Sequence, residues 1–438
     1  MGRRTRAFLL VALGLLACGG GSEARGRGLL IGIDGATLRL IGPLLAQGRL
    51  PHLAEIARSG VSGPLRSEVP LLSPRIWNTI ATAKPPSEHG IDGWVWLDEA
   101  RTPRLYSSKD RKVHALWNIA SDAGLRVGVV NWLNTHPPEK VRGVMVSDHH
   151  FPAMEADALD FARLVAKQKH PDARGEIAPP DSRFAFPTEW NARVAAFREA
   201  DEPITSVADP FANDAARVGA DAAAELSVYY RSDELAVRVA LAIESELHPE
   251  LLMVYLPGID KVSHALWGGF EDPALYPEEL RGSPEERAAR ARALESYYEF
   301  SDALVGLLVA RFDSSDLVMV VSDHGFEADV IRLPTGTLTG GHESLGAVEG
   351  IVFARGRSIE AGDSIWGMSI YDVTPTVLAW LGIPTGRDMQ GRPARFIDAQ
   401  PPPPVATHDL RPVERVGDAP SGAEDAIIEQ LRKLGYVK

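Results

Sequence analysis

Cysteine is almost absent from this chain: 438 residues contain one, Cys18, so an internal disulfide is excluded. Positive charge is also in short supply. The 46 Lys and Arg are outnumbered by 59 Asp and Glu, for a formal charge of -13, and the basic residues are scattered rather than gathered into a stripe. That balance excludes a nucleic-acid partner, and an anionic ligand must be drawn in by something local, such as metal ions. The chain has no internal repeat and only one long apolar run, residues 7–17, which is too short to span a bilayer as a mature helix. It also lacks a Gly-x-Ser-x-Gly elbow, a His-Glu-x-x-His pair and a Walker glycine loop, three common carriers of nucleophile, metal or phosphate chemistry.

The apolar run follows Arg3, Arg4 and Arg6 and ends in Leu15-Leu16-Ala17-Cys18, with Gly19-Gly20-Gly21-Ser22 after it. Basic residues before a short apolar core read as a secretory signal. The end of the run is similar to the lipobox of bacterial lipoproteins. It implies a signal over residues 1–18, a lipid on Cys18 that holds the mature chain to a membrane, and a flexible tether over residues 19–27. The expected location is outside the cytoplasm, on a periplasm-facing or cell-surface membrane.

The rest of the chain is longer than one hydrophobic core usually spans. Apolar runs recur at residues 28–33, 126–132, 143–146, 251–256, 317–321 and 350–353. Continuous rather than alternating apolarity predicts strands buried on both faces. Helices are predicted between them. One starts at the capping box Ser283-Pro284-Glu285-Glu286, with its stripe at Leu294, Tyr298, Val305, Leu308 and Phe312; others cover residues 234–247 and 375–381, the last stopped by Gly382. The alternation predicts an α/β fold with a doubly wound, mostly parallel central sheet flanked by helices over residues 28–395. Residues 151–232 break the pattern and are expected to form an inserted cap that shapes substrate access. Residues 396–438 read as a polar linker followed by a short amphipathic helix through Ile427, Ile428, Leu431 and Leu434.

Open α/β sheets place their sites at the carboxyl ends of strands, and several strands end in metal-ligand chemistry. The first runs into Asp34-Gly35. The strand at residue 251 leads to Asp260 and, four residues later, His264, a spacing that puts both on one face if Asp260 opens a helical turn. The strand at residue 317 leads to Asp323-His324-Gly325, and Gly340-Gly341-His342 sets an imidazole in a glycine-rich loop. One such Asp or His is ordinarily a cap or a structural hydrogen bonder. Three strands delivering them to one edge point to a metal site, with zinc suited to mixed Asp and His ligation and manganese the alternative.

These pieces occur in a chain order that resembles the alkaline phosphatase superfamily, and within it the type I phosphodiesterase/nucleotide pyrophosphatase family. The order runs Asp34-Gly, Leu-Ser73-Pro, His89-Gly90-Ile91, Asp260-x-x-x-His264, Ser-Asp323-His324-Gly and Gly-His342. The resemblance implies two divalent ions and a Ser73 nucleophile. Asp34, Asp323 and His324 would hold one ion, bridged to Ser73, and Asp260, His264 and His342 the other. It implies hydrolysis of phosphodiester or pyrophosphate bonds in a small-molecule phosphate ester through a phosphoseryl intermediate.

Two departures stand out. Where many members carry Asn three residues after the nucleophile, this chain has Ile76, which leaves Asn78 as the candidate for binding the substrate's phosphoryl oxygen. Thr82-Ala83 replaces Thr-Gly, so a slightly different loop is expected there. His89 reads as ordering its turn, Asp148-His149-His150 as a surface or cap-hinge feature, and Arg75 and Lys84 as either phosphate contacts or structural cations. Two alternatives stay open: a monoester, phosphonate or sulfate-ester hydrolase of the same superfamily, and a catalytically silent ligand-binding surface lipoprotein. The sulfate version lacks the Cys-x-Pro-x-Arg sequence those enzymes modify.

Overall fold

A computed structural model of the chain describes residues 26–148, 151, 183–200, 203–206, 209, 211, 220–333, 336–357, 359–397 and 402–417. The signal, Cys18, most of the tether, His149-His150, much of the expected cap and the helix near residue 430 lie outside the described residues.

The described elements begin with β1 (Gly28–Ile33), α1 (Leu38–Ala46), α2 (Pro51–Ser59), β2 (Val61–Arg66), α3 (Ser73–Thr82) and α4 (Pro86–His89). Next come β3 (Val95–Leu97), β4 (Pro103–Leu105), α5 (Leu116–Asp122), β5 (Val127–Val130), β6 (Gly143–Val146), β7 (Ala185–Phe186), α6 (Trp190–Glu199) and α7 (Ala220–Leu247). The remainder are β8 (Leu251–Leu256), α8 (Gly258–Leu266), α9 (Pro284–Val309), β9 (Leu317–Val321), β10 (Glu327–Leu333), β11 (Gly336–Gly341), β12 (Glu349–Arg355), β13 (Asp363–Ser364), β14 (Met368–Ser369) and α10 (Val373–Trp380).

The main sheet runs in the order β13-β2-β12-β9-β1-β8-β5-β6-β7, with β14 also on β2. Its centre is parallel, β1 lying between β8 and β9 with Ile33 opposite Leu256 and Gly32 opposite Val321. β12 and β7 pair antiparallel with their neighbours. The unbroken apolarity of the central strands follows from burial on both sides. Leu29, Ile31, Ile33, Leu252, Val254, Val318 and Val320 enter one core cluster, and Leu30, Leu251, Met253, Leu317, Met319 and Val321 enter the other. Helices α7, α8 and α9 supply the first cluster, while α3, α5 and α10 supply the second.

Local signals hold well where they are strong. Ser283 caps α9 as a reciprocal box with Glu286, and Gly382 ends the turn after α10 at φ 66°. Elsewhere packing overrides the sequence pattern. Helix α7 begins at Ala220, and the expected limit of the cap at Ser232 falls inside it, where Ser232 is fully buried. β7, within the expected cap, extends the main sheet through β6. Asp148 is a buried organiser rather than a surface residue: it accepts hydrogen bonds from the backbone of Asn134 at 2.8 Å and of His136 at 3.1 Å, which fixes the loop after β5. Ala83 takes the left-handed backbone, φ 55°, at the end of α3, so the chain keeps there the turn that glycine favours.

The segment expected to be a linker is, from residue 402 to 417, strapped to the body. Asp409 pairs with the buried Lys84, which also reaches Asp388 at 2.6 Å, and accepts from the backbone N–H of His114 at 2.6 Å. Glu139 and Gly386 bridge to Arg415 and Val405. The reason is electrostatic: a lysine almost shut off from water needs carboxylate partners. Burial opposes ionisation of Asp409, but hydrogen bonds from His114 and Lys84 outweigh it and hold the carboxyl below its ordinary range. Because its folded value is depressed, Asp409 contributes its full stability above an unfolded pKa of about 3.9 and loses it as pH falls further. Urea titration of Asp409→Ala should show a loss of about 2 kcal/mol at neutral pH, and the gap from wild type should close below pH ~4. An unchanged midpoint at neutral pH would mean that the strap does not hold the body.

Candidate functional site

Three adjacent parallel strands decide where the chemistry lies. Their register brings Asp34, just past β1, Asp323, just past β9, and α8, just past β8, to one edge of the sheet, with the Asp34 N–H donating to Leu256 O at 3.0 Å. Asp260 sits in the first turn of α8 and His264 one turn later, with His264 Nε2 3.5 Å from Asp260 Oδ1. The β10–β11 hairpin packs on α8 and delivers His342 immediately after Gly341, at 3.7 Å from the same Asp260 oxygen. Gly340 is needed for that approach, since a Cβ there would lie 2.6 Å from Ser263 O and Trp267 Cβ. Gly35 is needed too, holding φ +70° with its N–H donating to Asp323 Oδ1 at 3.2 Å.

His324 lies at the middle of this group, its Nε2 3.3 Å from Asp34 Oδ1, 3.4 Å from Asp323 Oδ2 and 3.9 Å from Asp260 Oδ1. Its Nδ1–H donates to Gly325 O at 3.0 Å, and that of His264 to Gly340 O at 2.9 Å. A backbone carbonyl on one ring nitrogen turns the other toward the cluster, the outer-shell arrangement of metal-binding histidines. The His324 and His342 rings stack at 4.0 Å between centres.

The electrostatics say what this edge accepts. Asp34, Asp260 and Asp323 are all essentially buried. Burial, reinforced by Asp34 and Asp260, pushes Asp323 well above the carboxylate range. Burial resists charging of His324, yet Asp323 and Asp34 overcome it and take the imidazole up to about 10. Burial would also raise Asp260, but His264 and Lys261 hold it well below the usual value. His342 is pushed well down by burial and by the other two histidines. Asp34 Oδ1, Asp260 Oδ1, Asp323 Oδ2, His324 Nε2 and His342 Nδ1 are buried atoms with no hydrogen-bond partner. Two sets of ligand atoms lie within 4.8 Å of one another, Asp34 with Asp323 and His324, and Asp260 with His324 and His342. Carboxylate oxygens and imidazole nitrogens converging in a buried cluster fit divalent cations.

The structure therefore brings together all six Asp and His residues expected at the site. One grouping differs: His324 stands between the two sets, while His264 lies outside both, 3.5 Å from Asp260 Oδ1 and with its ring 5.1 Å from that of His342.

Ser73 is the first residue of α3, is 7% exposed, and makes no side-chain hydrogen bond among the described residues. One turn along the same face, the Trp77 indole N–H donates to Asp34 Oδ2 at 3.0 Å, so the start of α3 adjoins the Asp34 end of the cluster. Within that first turn Pro74 has no N–H and Ile76 N donates to Leu72 O at 3.0 Å, which leaves the Ser73 and Arg75 N–H groups outside the helix ladder.

Asn78 requires correction as a substrate-binding residue. It is fully buried, and its amide donates to Pro74 O at 2.7 Å and Asn134 Oδ1 at 2.8 Å while its oxygen accepts from Arg111, so it ties α3 to the loop behind it. Arg75 pairs with Asp92 and Glu68. His89 is structural: burial takes its pKa down to about 3, and the neutral ring accepts from Ile91 N at 3.1 Å and faces Thr79 Oγ1 at 3.2 Å. Two residues went unseen in the sequence, Trp77 and Tyr255, whose indole and hydroxyl both donate to Asp34 Oδ2 and aim its other oxygen into the cluster. Tyr255 carries the single polar side chain in the apolar run of β8, and Trp77 follows Ser73 at helical spacing. Those were the available signals.

The family model described as type I phosphodiesterase / nucleotide pyrophosphatase matches residues 29–330. No curated protein matches the chain. Among solved structures, phosphonoacetate hydrolase from Sinorhizobium meliloti 1021 in complex with phosphonoformate is 17% identical, with a TM-score of 0.40 over 70% of this chain. The chain spans only 58% of that protein's length. Human ectonucleotide pyrophosphatase / phosphodiesterase 5 is 14% identical, with a TM-score of 0.45 over 84% of this chain and 97% of its own. The murine protein of the same description is 12% identical at 0.46, with the same coverage. Matched by the family model over well more than half its length, the chain belongs to the type I phosphodiesterase / nucleotide pyrophosphatase family.

Proposed function

We propose that the protein cleaves phosphodiester or pyrophosphate bonds of a small-molecule substrate through a phosphoseryl intermediate on Ser73, at a site for two divalent ions, zinc or manganese. The observation that carries this reading is the convergence of carboxylate and imidazole ligand atoms from Asp34, Asp260, Asp323, His324 and His342 beside the start of α3. Asp34, Asp323 and His324 would hold one ion near Ser73, and Asp260, His264 and His342 the other, with His324 at the boundary between them. When bound, the ions supply a lowered pKa for the serine hydroxyl and for water, and positive charge for the phosphoryl oxygens.

The chain's own groups do the rest. Trp77 and Tyr255 hold Asp34 in one orientation, and the Gly35 N–H holds Asp323. The Ser73 and Arg75 N–H groups, which the helix ladder leaves over, would donate to the phosphoryl group. Ser73 Oγ attacks phosphorus, the ester oxygen departs with a proton, and phosphoserine forms. Water then cleaves the new P–O bond and the serine hydroxyl is restored. Residues 1–22 support export and a lipid anchor on Cys18, which would place the activity at a periplasmic or external membrane face.

Zinc-supplemented protein without residues 1–18 should release p-nitrophenol from bis-p-nitrophenyl phosphate faster than from p-nitrophenyl phosphate, and Ser73→Ala should lower the rate about a thousandfold or more. A preference for the monoester would move the substrate class, and full activity in Ser73→Ala would remove the covalent route. Calorimetry provides a second check. Zinc should raise the melting temperature of wild type by several degrees. Asp323→Asn, which replaces a buried carboxyl held well above its usual range by a neutral amide, should melt higher than wild type without metal and gain less from zinc, since the ligand set around Asp260 stays intact. A lower metal-free melting temperature for Asp323→Asn would contradict the charge-crowded site.

A further inference from the structure

Asp34 and Asp323 each have one oxygen taken up by the protein and the other turned to His324. The Trp77 indole N–H donates to Asp34 Oδ2 at 3.0 Å, and the Tyr255 hydroxyl donates to the same atom. A carboxylate oxygen offers about two lone-pair sites, and these two donors meet both. On Asp323 the Gly35 N–H donates to Oδ1 at 3.2 Å. The opposite oxygens, Asp34 Oδ1 and Asp323 Oδ2, lie 3.3 Å and 3.4 Å from His324 Nε2.

Packing holds the two donors on Asp34 in place. Trp77 and Tyr255 are both buried, their rings meet at 5.0 Å and 71°, and Trp77 meets Trp132 edge-on at 5.2 Å. Trp132 Nε1 donates to Trp77 O at 3.3 Å and Asn131 Nδ2 to Tyr255 O at 3.0 Å, so both backbones are tied to the loop after β5. A Cβ on Gly32 would lie 2.5 Å from Trp77 Cζ3, so β1 makes room for the indole just before the aspartate that the indole serves. Burial, with Asp34 and Asp323 close by, keeps the tyrosine hydroxyl in its protonated, donating form.

An ion held by Asp34 Oδ1, Asp323 Oδ2 and His324 Nε2 would therefore receive three single-atom ligands. That suits an ion content with four ligands, the zinc pattern of three protein atoms and one open position. Manganese takes a fuller octahedral shell rich in oxygen, which carboxylates help to fill when both of their oxygens are free. We propose that Trp77 and Tyr255 are metal-selecting residues: by filling Asp34 Oδ2 they restrict that ligand to one oxygen, and so favour a four-coordinate ion such as zinc over manganese at the Asp34 group. Both act through Asp34, as positioning residues rather than ligands. The inference rests on the two-ion reading above and chooses between the two metals left open there.

The experiment is equilibrium dialysis of full-length protein against paired zinc and manganese buffers, with both metals counted by elemental analysis. It is repeated in a His342→Ala background, which depletes the Asp260 group and leaves the Asp34 group complete. Tyr255→Phe, which removes one hydroxyl and keeps the ring, should lower the zinc-to-manganese affinity ratio about tenfold in both backgrounds. Trp77→Phe should lower it as well, and the double variant more than either single change. Should Trp77→Phe fail to fold, Tyr255→Phe alone decides. A ratio unchanged in Tyr255→Phe would overturn the inference, whether both affinities hold or both fall together, because the hydroxyl would then do no more than steady Asp34. Wild-type protein that binds neither metal would overturn the two-ion reading itself, and this inference with it.

Discussion

Three carboxylates held out of water within reach of one histidine set the terms for the rest of this molecule. Asp34, Asp260 and Asp323 cannot all carry charge in a buried pocket without compensation, and the surroundings show how the chain manages this. His324 is pulled strongly toward the charged form, Lys261 stands against Asp260, and the Gly35 N–H, the Trp77 indole and the Tyr255 hydroxyl donate into the group. Burial and the charge of Asp34 keep that hydroxyl protonated, far above its ordinary value. Such crowding destabilises a fold unless a cation is present. A divalent cation bound among these groups would relieve it.

Rigidity behind the cluster comes from a second layer. Helix α8, which carries Asp260 and His264, starts against a buried pair formed by Asp233 on α7 and Tyr297 on α9, the hydroxyl donating to Asp233 at 3.0 Å. Desolvation takes that carboxyl up to about 8, so it is mostly protonated at neutral pH and adds little charge to the site. A Cβ on Gly258 would lie 1.9 Å from the Tyr297 oxygen, which shows how tightly the first turn of α8 is seated. On the opposite face, Asn78, Asn134, Arg111 and Glu139 form a buried polar network under α3. The helix bearing Ser73 is thereby held from below.

The two short hairpins do related work at the rim. β10–β11 brings His342 to the ligand cluster, and the segment leading into β3–β4 sets Trp94 over Lys261. Neither hairpin belongs to the main sheet. A parallel α/β scaffold with ligands at its strand ends can thus gain a further candidate ligand, His342, from a connection alone, without changing the register of the core.

What the sequence determined by itself is the part governed by short-range pattern. Strands β1, β6, β8 and β9 were legible to the residue because burial on both faces demands continuous apolar runs. Asp34, Asp260, Asp323 and His324 were legible because they follow those runs, and α9 because its capping box is local. Tertiary structure decided what depends on distant partners. The start of α7 and the burial of Asp148 follow from packing, and the strap over residues 402–417 follows from a lysine that needs Asp409. The loss of Asn78 to a structural network depends on Asn134 and Arg111, and the placing of Trp77 and Tyr255 on Asp34 depends on a helix and a strand 178 residues apart meeting at one oxygen. A carboxylate at the end of a strand announces itself in sequence. The groups that orient and neutralise it come from across the fold, and only the folded chain brings them within a hydrogen bond.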